Sequence, residues 1–165
     1  APRANFKGEQ VAKPSSKPAQ DPLLTQATWE LLWLILHHPE YGDQLSEIID
    51  YEWINTNSIT GKLLSRLLAE LREGMIDSVD QIENIIDSVE ERQLLADIHS
   101  RELSVEEPIK QIVFCLERLR RKFVEAQIKN LEQKIINSNP DTQIRLMRER
   151  KEILRKVSHP LELEL

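Results

Sequence analysis

Glycine is scarce in this chain, four residues of 165, and aromatic side chains make up only 5%. No strict alternation of apolar and polar residues persists beyond about four positions, so a turn-rich β architecture is excluded. The glycines are isolated from one another, which leaves no phosphate-cradling loop. The single cysteine, Cys115, excludes an internal disulfide and a cysteine-rich zinc site. Flanked by Phe114 and Leu116, it reads as a buried thiol packing like a small hydrophobe, and a reducing cytoplasm suits it. The longest apolar run, residues 31–36, is too short to cross a bilayer. The polar start shows no signal peptide. His37 and His38 are neighbours on a helix, project about 100° apart and cannot chelate one metal together. No nucleophile elbow is present. The expectation is a stretch without a catalytic site, cofactor or metal.

What is present is apolar periodicity at threes and fours, punctuated by helix caps. The expected fold is all-α: a small helical bundle, a long helix, and a C-terminal antiparallel helical hairpin. Residues 1–20 carry Pro2, Pro14 and Pro18 with little apolar content, so a flexible linker is expected there. The bundle is expected over residues 21–103. Asp21-Pro22 caps its first helix, and residues 29–36 are apolar nearly all round, as in a helix central to a bundle. Trp29 and Trp33 should stack at i,i+4. Ser58 or Thr60 opens a leucine-striped helix that stops at Gly74. Residues 78–86 read as a short helix, and Ser88 with Glu91 as a capping box.

A long connecting helix is expected over residues 104–138, with Ser104 and Glu107 as a second capping box. Asn139 and Pro140 then open the second hairpin helix, and residues 139–165 complete the chain. Charge is divided along the same line. Residues 40–107 hold 17 acidic and 5 basic side chains, a net of −12, whereas residues 108–157 hold 13 basic and 6 acidic, a net of +7. Glu117–Arg121, Glu125–Lys129 and Glu152–Lys156 are spaced as i,i+4 ion pairs. The basic run at residues 118–122 lacks interleaved aromatics and sits beside an acidic body, so direct nucleic-acid binding is not expected.

Two helices share one seam, which covers one apolar stripe and not two. Leu146 and Ile153 lie on a different azimuth from Ile144, Met147 and Leu154, so one set should face away. The tail leucines, Leu161 first, add to the surplus. Apolar groups framed by charge mark an interaction site. The expected apolar anchors are Leu146, Met147, Ile153, Leu154, Val157 and Leu161. Arg148, Arg150, Lys151 and Arg155 would orient them against an acidic partner.

The opening Leu31-Leu32-Trp33-Leu34-Ile35-Leu36-His37-His38-Pro39-Glu40, the acidic bundle, the long helix and the terminal hairpin together resemble the C-terminal helicase-binding domain of bacterial DNA primase. The resemblance covers roughly residues 22–160. It implies a non-catalytic module that docks, mainly through the hairpin, on the N-terminal domains of the replicative hexameric DNA helicase and couples priming to unwinding. It also implies primase catalytic domains upstream. The absent initiator Met and linker-like start lead to the same expectation of a fragment. The helicase N-terminal domain has a similar helical fold and is one alternative; a nucleic-acid-binding helical arm, using residues 118–122 and the last helix, is the other.

Overall fold

The computed structural model describes residues 22–162. The expected linker over 1–20, the Asp21 cap and the end of the tail, Leu163-Glu164-Leu165, lie outside them. The described residues are all-α, with six α-helices: α1 (Pro22–His37), α2 (Gly42–Ile48), α3 (Ile59–Arg72), α4 (Val89–Ser100), α5 (Pro108–Ile136) and α6 (Pro140–Val157). Short 3₁₀ turns at Pro39–Tyr41, Tyr51–Trp53 and Val79–Ile85 join the bundle helices.

The core forms around α1, whose residues 31–36 are all buried. Helix α3 meets it with Leu63, Leu64, Leu67 and Leu68, none exposing any surface. Helix α5 meets α1 from another side with Ile112, Cys115, Leu116 and Leu119. Local chemistry sets the ends of these elements. Ser58 Oγ accepts the Gly61 N–H at 3.0 Å, and Ser88 Oγ accepts the Glu91 N–H at 3.1 Å. Glu91 reaches back one residue beyond the usual box partner, to the Asp87 N–H, and is also paired with Arg66. Gly74, at φ 73°, closes α3 with the Met75 N–H on the Glu70 carbonyl and its own on that of Leu71. That is a Schellman stop, which only glycine adopts without strain.

Three expectations are corrected. The long helix begins at Pro108, not at 104, and spans 29 residues, about 43 Å at 1.5 Å per residue. Proline drives the residue before it out of the helical region. Glu107 accordingly sits at φ −128°, ψ 89°, and the Ser104–Glu107 box does not form. Residues 79–85 are 3₁₀ rather than α. Their apolar residues, Val79, Ile82 and Ile85, recur every third position, the spacing that a three-residue turn stacks on one side. Trp33 stacks on His37, centroids 4.0 Å apart, while Trp29 lies under the Arg101 guanidinium. The indole N–H of Trp33 donates to the Arg101 carbonyl at 2.8 Å, tying α1 to the segment leading into α5.

Candidate docking surface on the hairpin

Past Leu119, α5 leaves the core and packs chiefly against α6. The turn between them is built from side chains. Asn139 Oδ1 accepts the Thr142 N–H at 2.9 Å, and Pro140 occupies the first helical position of α6. Gln143 Nε2 reaches across to the Ile135 carbonyl at 2.8 Å, satisfying one of the last acceptors of α5.

Val124 and Leu131 of α5 and Leu146 of α6 are buried in the seam, and Ile153 is half-buried. The other azimuth of α6 faces outward. Ile144 remains 52% exposed, Met147 58% and Leu154 42%. Ile136 of α5, at 77%, lies beside them. These four, with Ile135, floor an open groove of about 830 Å³ rimmed by Glu132, Arg148, Arg150 and Lys151. Arg150 spans the hairpin to Glu132 at 3.0 Å and is committed to it. Arg148 and Lys151 have no ion-pair partner among the described residues. The groove therefore has an apolar floor and, among the described residues, two cations on its rim that no carboxylate pairs.

The sequence-expected site residues thus divide by position. Met147, Arg148, Arg150, Lys151 and Leu154 come together around the groove. Leu146 does not join them, because the seam consumes it. Val157 lines a cleft at the foot of the hairpin, and Leu161 packs on the bundle core. Arg155 is bound to Glu152 at 2.6 Å, and that hydrogen bond holds the Glu152 carboxyl below its ordinary range. Glu125 pairs with Lys122, also at i,i+3, and Glu117 takes the Leu161 N–H, in place of the expected i,i+4 pairs. Sequence reasoning left out Ile135 and Ile136. Their adjacency was the available signal, since neighbours about 100° apart on a helix cannot both enter one seam.

The basic run at 118–122 is largely turned to internal contacts. Arg118 lies over the Phe114 ring at 4.5 Å, Arg120 donates to the His159 carbonyl, and Lys122 meets Glu125. No helix among the described residues is long and apolar enough to cross a membrane. Comparison with protein-family models, curated proteins and solved structures finds no match to this chain.

Proposed function

We propose that this chain is a non-catalytic protein–protein interaction module of a DNA primase. In this reading it docks on the N-terminal domain of the replicative hexameric helicase in the cytoplasm, coupling priming to unwinding. The observation that carries the reading is the groove between α5 and α6. Its floor of Ile135, Ile136, Ile144, Met147 and Leu154 keeps apolar surface in water on an arm that projects from the bundle. Such surface is stabilised when a partner covers it. Arg148 and Lys151, which have no ion-pair partner among the described residues, favour an acidic partner and speed encounter with it. The resemblance of residues 22–160 to the primase module supplies the identity of that partner.

The test is titration of the chain into the isolated N-terminal domain of the helicase by calorimetry. The expected result is saturable binding with a negative heat-capacity change, the mark of apolar burial. Absence of binding at moderate salt would overturn the proposal. Binding to single-stranded DNA with a steep salt slope would favour a nucleic-acid role instead.

A further inference from the structure

Beyond Leu119 the hairpin would hang from the bundle by one helix alone, were it not for the residues that follow α6. Ser158 ends that helix, with its hydroxyl donating to the Arg155 carbonyl at 2.7 Å, and Pro160 prevents its continuation. The chain then turns onto α5 and the bundle. Arg120 Nη2 donates to the His159 carbonyl at 2.9 Å, and the Leu161 N–H donates to Glu117 Oε1 at 3.2 Å. The Leu161 side chain packs against the bundle core. Two polar contacts and one apolar one therefore converge where α5 passes out of the bundle.

We propose that residues 158–162 are a strap that fixes the angle between hairpin and bundle. A long helix held at one end alone can curve along its free length, and its tip swings with it. A second attachment, from the residues after α6, removes that freedom, because α6 can no longer swing without withdrawing Leu161 from the core. Glu117 and Arg120 lie one turn apart on α5 and grip the strap from the same side. The strap thereby sets where the groove points, whichever molecule fills it. Release of the strap is a conformational switch that leaves both helices of the hairpin intact.

The experiment is distance measurement between two spin labels, at Asn137→Cys in the hairpin tip and Glu83→Cys in the bundle, both exposed positions. Cys115 exposes no surface and stays unlabelled. With the strap intact the expected result is a single narrow distance. Leu161→Ser should lose that narrow peak to a broad distribution. Arg120→Ala, which does not touch the core, should broaden it in the same sense, with circular dichroism unchanged in both. The same narrow distance in folded Leu161→Ser and Arg120→Ala would overturn the proposal. So would a broad distribution in the parent protein.

Discussion

If the proposed docking function holds, replacing Met147 and Leu154 together by alanine should weaken binding to the helicase domain and leave the fold intact. Full burial of a leucine or methionine side chain contributes about 1.5–3 kcal/mol relative to exposure. Met147 keeps 58% of its surface in water and Leu154 42%. A partner can therefore gain ~0.9–1.7 kcal/mol from the first and ~0.6–1.3 kcal/mol from the second, scaling that burial by exposure. Alanine retains its β-carbon, so the combined loss is about 1–2.5 kcal/mol, or roughly five- to seventyfold in Kd. Stability should fall by a comparable amount, since both side chains also hide part of their surface in the folded chain, but the bundle core is untouched and both helices should persist. Calorimetric titration of both proteins at one salt concentration measures the ratio, and thermal melting monitors the fold. A Kd unchanged by the double substitution would refute the claim that the groove floor is the contact.

Leu146→Ala, next to Met147 in the chain but buried in the seam, should destabilise the hairpin by about 2–4 kcal/mol through lost burial and a cavity, read as an earlier denaturant midpoint. In Gly61→Ala the new Cβ would fall 1.8 Å from the Asn55 carbonyl oxygen. That loop must shift, so Gly61→Ala should lower the melting temperature despite alanine's higher helix propensity. Burial, followed by the nearby Glu30 carboxylate, pushes the Cys115 thiol from its ordinary 9.0 up to about 12. The native thiol holds its proton across that window while the unfolded one releases it, so its contribution to stability is complete below 9.0 and is lost as pH rises toward about 12. Urea midpoints should fall more steeply over that range in the parent than in Cys115→Ala. Thiolate reagents should label the native chain far more slowly than the unfolded one.

Much of the architecture is legible residue by residue. The cap at Asn139 with Pro140, the Ser88 cap, the glycine stop at Gly74 and the all-apolar turns at 31–36 each act through contacts within a few positions, and each stands where the sequence places it. The lost box at Ser104 was legible too, because Pro108 constrains its predecessor whatever the tertiary setting. The 3₁₀ turn at 79–85 was readable in its spacing of three.

Other features depend on partners far away in the chain. Periodicity alone gives α6 two apolar stripes and does not rank them. Pairing with α5 decided that Leu146 is buried while Ile144, Met147 and Leu154 stay in water. Glu132 lies on α5 and Arg150 on α6, so only the antiparallel register makes them a pair. Leu161 reads as one more surplus leucine until the path of the chain past Pro160 returns it to the core. Helix ends are fixed by bonds spanning three or four residues and can be read from a line of sequence. Which face is hidden is fixed by what packs against it, and that exists only once the chain has folded.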